Sequence, residues 1–168
     1  PIADMWKAIA DESHHAGATS VSISEIISGS PRTHDHVIFQ YLDIPMLSDR
    51  WWLVNIRYTS GLYTASSGQL WELTWKDKNS DSALVSTLDL SQFDDAIPVA
   101  WTKGAWLLMD LQDGRTLIEY HTWSDPGGNV PVGLASRLAS GEVEENLKHM
   151  AAFARTHVPS CKGQFYRP

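Results

Sequence analysis

Apolar and polar positions alternate along most of this chain, and helical periodicity is confined to its two ends. Ile2, Met5, Trp6 and Ile9 recur every three or four residues, the spacing of a helix that buries one face. The run Asp11-Glu12-Ser13-His14-His15-Ala16-Gly17 reads as a polar turn. From there the period drops to two. Val21 and Ile23 alternate with Ser20, Ser22 and Ser24 in a strand over residues 20–27, which Ser28-Gly29-Ser30-Pro31 breaks. A second strand, residues 36–43, stops at Ile44-Pro45 because proline cannot donate to a ladder. Over residues 49–59, Trp52, Val54, Ile56 and Tyr58 share one face while Asn55, Arg57 and Thr59 share the other. Residues 69–76 repeat the device, with Trp71, Leu73 and Trp75 opposed by Glu72, Thr74 and Lys76. Residues 82–91, 104–111 and 115–123 complete seven expected strands, the last two joined at Asp113-Gly114, a hairpin signal. The economical arrangement is an antiparallel meander.

Asp125-Pro126-Gly127-Gly128 suits a type II turn. The spacing then predicts a long helix capped by Asn129, with Pro131 tolerated in its first turn and Val158-Pro159 ending it. Val132, Ala135, Ala139, Val143, Met150 and Ala154 form its apolar stripe, flanked by Leu147 and Phe153, and Gly141 predicts a kink near Ser140. Strands followed by one long helix make an α+β domain in which a curved antiparallel sheet wraps that helix. A helix that shows its sheet Ala135 and Ala139 rather than bulky leucines leaves room. The expected ligand-facing set is therefore Trp52, Val54, Ile56, Tyr58, Trp71 and Leu73, joined by Trp75, Ile118, Tyr120 and the helix positions Ala135, Ala139 and Val143. Such walls suit an apolar pocket of about 300–1,000 Å³, unless the rings close the gap themselves.

Composition narrows the partners. The 168 residues fit one domain. A formal charge of −7 disfavours non-specific nucleic-acid binding and retention on anionic lipid by charge alone. Cys161 is the single cysteine, so internal disulfides and multi-Cys zinc patterns are excluded, and an incidental thiol is the simpler reading of it. No apolar run reaches the length of a membrane span and no leader pattern is present, so the expectation is a soluble domain, cytoplasmic or exported. Eight tryptophans exceed ordinary core needs.

Two ordered motifs then point to a family. Leu42-Asp43-Ile44-Pro45-Met46-Leu47-Ser48-Asp49-Arg50-Trp51-Trp52 resembles the P-x-x-S-D-R-D signature of START domains, the lipid-transfer branch of the helix-grip (SRPBCC, polyketide-cyclase-like) superfamily. Gly104-Ala105-Trp106, Asp113-Gly114-x-Thr116, Tyr120 and Asp125-Pro126-Gly127-Gly128-x-x-Pro131 are similar to that family's G-x-W … G-x-T-x-x-x-Y … D-P-G-G-x-x-P ending, and Met5-Trp6-Lys7-Ala8-Ile9 to the superfamily's first helix. The resemblance implies a START-like domain over residues 1–168, with the family's N-terminal strand apparently missing. It implies one lipid-like or other hydrophobic small molecule held beneath the C-terminal helix, transfer with transient membrane contact, no nucleic acid, and no cofactor or metal. Ile56 stands where sterol-binding members tend to place a buried arginine, with Arg57 on the outer face, which weakens the inference of a sterol ligand.

Other chemistry is weaker in the sequence. His14-His15 reads as a solvated turn, His34-Asp35-His36 as a polar loop, and His121 as a surface partner of Glu119. His157 suits a helix C-terminus. Asp49 and Arg50 read as a structural ion pair, and Trp106 as core. No G-x-S-x-G elbow or catalytic motif is present, so a non-catalytic binding protein leads. The alternatives are a polyketide cyclase or aromatase using Tyr58, Tyr120 or a buried carboxylate, and a protein-interaction module with an exposed Trp patch.

Overall fold

The computed structural model describes residues 1–45, 47–93, 95–156 and 168, apart from the side chains at 17, 132, 134–140 and 142. The amphipathic first segment is helix α1 (Ile2–Ala10), burying Ile2, Met5, Trp6 and Ile9. A 3-10 turn (Glu12–His14) and the single turn α2 (His15–Ala18) continue it. Strands β1 (Ile23–Gly29), β2 (Asp35–Leu42) and β3 (Arg50–Tyr58) follow. Helix α3 (Ser60–Ala65) leads to β4 (Leu70–Asp77), and α4 (Ser82–Val85) with a 3-10 turn (Leu90–Phe93) leads to β5 (Ile97–Pro98). The chain then forms β6 (Trp101–Asp110), β7 (Thr116–Asp125) and the long helix α5 (Val132–Thr156). The curved seven-stranded sheet has the order β1-β2-β3-β4-β6-β7, each pair antiparallel, with the two-residue β5 parallel to β3.

One expected strand is absent. Residues 82–91 form α4 and the start of a 3-10 turn instead. Leu84, Val85 and Leu88 are spaced for a helical turn, and Asp81 caps it by accepting from the Leu84 amide at 3.3 Å. This segment covers the outer face of the sheet. Leu84, Val85, Leu88 and Phe93 pack against Val37, Phe39, Trp51 and Leu53, which the sheet turns away from the main core. The other expected strands are present, with ends displaced by no more than three residues.

The main core lies on the inner face. Trp6, 1 % exposed, is wedged between Tyr58 and Trp71, with ring centroids at 5.2 and 5.5 Å. Leu147, Met150 and Ala154 of α5 pack on the same cluster. Helix α1 touches both α5 and β6, so it sits between the long helix and the sheet at one end of the domain. Helix α5 runs unbroken through Ser140 and Gly141 to Thr156, while the expected helix end at Val158-Pro159, His157 and Cys161 lie outside the described residues.

Gly104 is a packing requirement. It faces Trp75 in the register between β4 and β6, and a Cβ there would lie 2.1 Å from the Trp75 ring and 2.2 Å from the His121 carbonyl oxygen. The missing side chain lets Trp75 lie across β6 and stack on Tyr120 at 5.5 Å. Gly104→Ala is expected to destabilise the fold by about 3 kcal/mol, since backbone must move as well as the ring. Thermal unfolding followed by circular dichroism tests this, and a variant melting with the parent would contradict it.

Candidate binding cavity

Strand parity aims one row of side chains from each inner strand toward α5. Ile38 and Gln40 come from β2, Val54 and Ile56 from β3, Leu73 from β4 and Trp106 from β6. Between this face and Val143, Asn146 and Met150 of α5 lies a cavity of about 820 Å³. Its aromatic wall is continuous: Tyr120 sits 4.2 Å from Trp106 and 5.5 Å from Trp75, centroid to centroid. The rim is built from three segments, residues 19–21, residues 42–45 with Leu47, and residues 125–130, represented by Val21, Leu42, Ile44, Leu47, Pro126 and Val130.

Of the residues singled out from the sequence, Trp52, Val54, Ile56, Leu73, Trp75, Tyr120 and Val143 line this cavity. Tyr58 and Trp71 are instead buried against Trp6, and Ile118 packs on the same core. Ala135 and Ala139 lie on α5, and their side chains are outside the described residues. The indole N–H of Trp52 donates to Gln40 Oε1 at 3.0 Å, and that of Trp71 to the Gly68 carbonyl at 2.9 Å. Both polar tips serve the protein itself. Ile56 is buried on the inner face and Arg57 is exposed.

Asp49 and Arg50 do not pair as the sequence suggested. The Asp49 carboxylate accepts from the Tyr41 hydroxyl and, at 2.9 Å, from the Ile44 amide. The Tyr41 bond holds Asp49 below its ordinary carboxyl range and, in return, pushes the phenol up to about 12. Arg50 is 3 % exposed and, among the described residues, donates to main-chain carbonyls: Ser48, Asp49 at 3.2 Å, Pro126 at 2.6 Å and Gly127 at 3.2 Å. It thereby ties the rim loop after β7 to the start of β3. Gly127 and Gly128 take φ of +68° and +65°, and a Cβ on Gly127 would lie 2.9 Å from the Pro98 carbonyl oxygen.

The polar turn after α1 is solvated at Ser13 and His14 only, not at Asp11, Glu12 or His15. Glu12 and His15 are buried, 2 % and 9 % exposed, and both line the cavity. His36, read as part of a polar loop, is in β2 at 2 % exposure, with its Nε2 3.2 Å from Glu12 Oε2 and its ring 5.8 Å from Tyr58. That contact is close but misaligned for a hydrogen bond; both Glu12 oxygens and both His36 nitrogens lack a hydrogen-bond partner among the described residues. So do His15 Nε2 and Asn146 Oδ1. Burying such groups unpartnered costs about 1–3 kcal/mol each. A signal for Glu12 existed, because positions 5, 9 and 12 continue the apolar stripe of α1. Strand parity likewise places His36 on the face of Ile38. The Glu119–His121 surface pair is present at 2.9 Å. Among the described residues no trio of His, Cys, Asp or Glu could hold a metal ion, and no helix is long and apolar enough to cross a membrane.

A curved antiparallel sheet closed over a cavity by a long C-terminal helix is the helix-grip fold, and this chain has that fold. Solved structures share it. A STAR-related lipid transfer protein from Xanthomonas axonopodis superposes with a TM-score of 0.72 at 18 % identity, covering 92 % of this chain and 79 % of that one. A protein from Thermus thermophilus gives 0.61 at 11 % identity, covering 97 % and 92 %. The di-domain ARO/CYC StfQ from the steffimycin biosynthetic pathway gives 0.56 at 14 % identity, covering 93 % of this chain and 47 % of that one. No protein-family model matches the chain, and no curated protein matches it in sequence.

Two outcomes follow from this geometry. Arg50→Ala removes a buried cation from four carbonyls and is expected to cost at least about 2 kcal/mol, given 1.5–3 for hydrogen bonds to charged groups. It should also open the loop at 125–130 to proteolysis, which Arg50→Lys, lacking the planar fork, does not reverse. An unchanged melting temperature and cleavage pattern would refute the tie. His15 provides the second outcome. Burial holds it below its ordinary 6.5, against the opposing pull of Glu12, Asp11 and the main chain of Ala8 and Ile9. The unfolded chain binds the extra proton first, so this contribution to stability is complete above about pH 6.5 and is lost as pH falls toward the lowered value. Urea midpoints at about pH 7.5 and about pH 5.5 should differ more for the parent than for His15→Phe.

Proposed function

We propose that the protein binds, and hands on, a hydrophobic small molecule of lipid-like character carried between the sheet and α5. The observation that carries this reading is the cavity itself: about 820 Å³, walled by Trp52, Trp75, Trp106, Tyr120, Val54 and Ile56. That volume is of the size that encloses a drug-sized or lipid-like molecule. Removal of apolar surface from water supplies the driving force, at ~25 cal/mol per Å². The likeness in fold to a protein named for lipid transfer supports the same reading. Trp101, 42 % exposed yet on the cavity wall, puts an aromatic ring at the mouth, where side chains of this kind settle at a boundary between water and lipid. Loading then requires the rim loops or α5 to move, and brief contact with a membrane surface is the simplest occasion for it.

A second reading is supported by one observation. An enzyme of the cyclase kind needs polar groups converging inside the pocket, and Glu12 and His15 are such groups. Of the tyrosines considered for that role, Tyr120 is on the wall and Tyr58 is not. The fold likeness to an ARO/CYC protein supports it as well. An interaction module with a closed interior fits poorly with a cavity of this size.

Solvent extraction of the purified protein followed by mass spectrometry should recover an apolar compound, and the empty protein should bind Nile red. Val143→Trp, which fills the cavity from α5, should weaken that binding about tenfold while leaving the circular dichroism spectrum intact. Empty extracts together with no Nile red binding would defeat the carrier reading. Conversion of a bound polyketide-like compound to a new mass would favour the enzyme instead.

A further inference from the structure

Resting on the carrier reading, we propose that Glu12, His15 and Asn146 form an anchor for one hydrogen-bond-donating head group, a hydroxyl or a primary amine, on an otherwise apolar ligand. All three residues line the cavity, two of them at 2 % and 9 % exposure. Each carries a buried atom with no hydrogen-bond partner among the described residues: both Glu12 oxygens, His15 Nε2 and Asn146 Oδ1. The oxygens of an ionised Glu12 and of Asn146 are acceptors. The main chain of Ala8 and Ile9 lies beside the His15 ring, and a neutral ring that donates there through one nitrogen accepts through the other. The set therefore presents acceptors to the cavity, and the complement of an acceptor cluster is a group bearing hydrogen.

The surroundings select further. His36 Nε2, 3.2 Å from Glu12 Oε2, backs the carboxylate from the sheet side, and His36 lies outside the lining, so Glu12 is the group a ligand meets. An ionised fatty carboxylate brought to this end is itself an acceptor and brings no hydrogen to share. An ether or ester offers no hydrogen. The polar tip of Trp52 is taken by Gln40, so that ring contributes surface rather than a competing donor. An alcohol or amine thus gains bonds at Glu12, His15 and Asn146 that its methyl ether cannot make, on the same apolar wall.

Displacement of Nile red by hexadecanol, hexadecylamine, methyl hexadecyl ether and hexadecanoate isolates the head group at constant chain length. Hexadecanol or hexadecylamine, or both, should displace the probe at about one-tenth of the concentration the ether needs, and the better of the two identifies the head group. In Glu12→Leu, which removes the buried carboxyl group, that preference should fall to within about twofold when each displacement is read against the variant's own Nile red affinity. Should Glu12→Leu fail to fold, Glu12→Gln should reduce the preference several-fold and His15→Phe should reduce it independently. Equal displacement by alcohol, amine and ether, or a preference that survives both Glu12 variants and His15→Phe, overturns the anchor while leaving the carrier reading standing. A parent protein that never takes up Nile red overturns both.

Discussion

Everything in this domain depends on how Trp6 is held. Its ring lies between Tyr58 of β3 and Trp71 of β4, and α1, which carries it, also touches α5. A long helix laid directly on a curved sheet would fill the concavity with its own side chains. Here α1 stands between the two at one end, so α5 meets the domain through Leu147, Met150 and Ala154 while Val143 and Asn146 face open space. The cavity is thus a consequence of the wedge. Interiors otherwise pack to crystal density, so a void of about 820 Å³ persists only where rigid elements keep its walls apart.

The second constraint is Arg50. The two sequence motifs that resemble the START pattern lie far apart in the chain, one before β3 and one after β7, and Arg50 joins them through the Pro126 and Gly127 carbonyls. Asp49, its neighbour, fixes the other rim loop by accepting from Tyr41 and Ile44. The motif is therefore a device for the mouth: each charged member holds one rim segment. A guanidinium suits this task because its fork reaches several carbonyls at once. Gly127 permits the close approach to Pro98 that brings its carbonyl into range.

Strand parity made most of the wall legible. Trp52, Val54, Ile56, Leu73, Trp75 and Tyr120 follow from period two alone, because each side chain in a strand points opposite to its neighbour. Parity says which face a ring takes, not what lies over that face, and so it could not tell Tyr58 and Trp71, covered by Trp6, from Trp52 and Trp75, left open to the cavity. Residues 82–91 misled for a related reason: a short apolar run suits a strand or a helical turn, and the Asp81 cap decided between them. The polar end was missed because Asp11 to His15 looks like any solvated turn by composition. Its burial is set by tertiary packing against β1 and α5, which no local pattern contains.

That polar end is where stability and binding pull apart. Replacing buried, poorly paired charges by apolar residues commonly leaves a protein as stable or more so, so Glu12 and His36, 3.2 Å apart without an aligned hydrogen bond, do not explain themselves as scaffolding. A wholly apolar cavity binds by area and distinguishes ligands poorly, since each methylene contributes about 0.8 kcal/mol wherever it sits. A few acceptors fixed at one end alter this: a ligand that leaves them unpartnered forfeits their desolvation, and one that satisfies them does not. The apolar wall then sets how much is bound, and the buried turn after α1 sets which end goes in first.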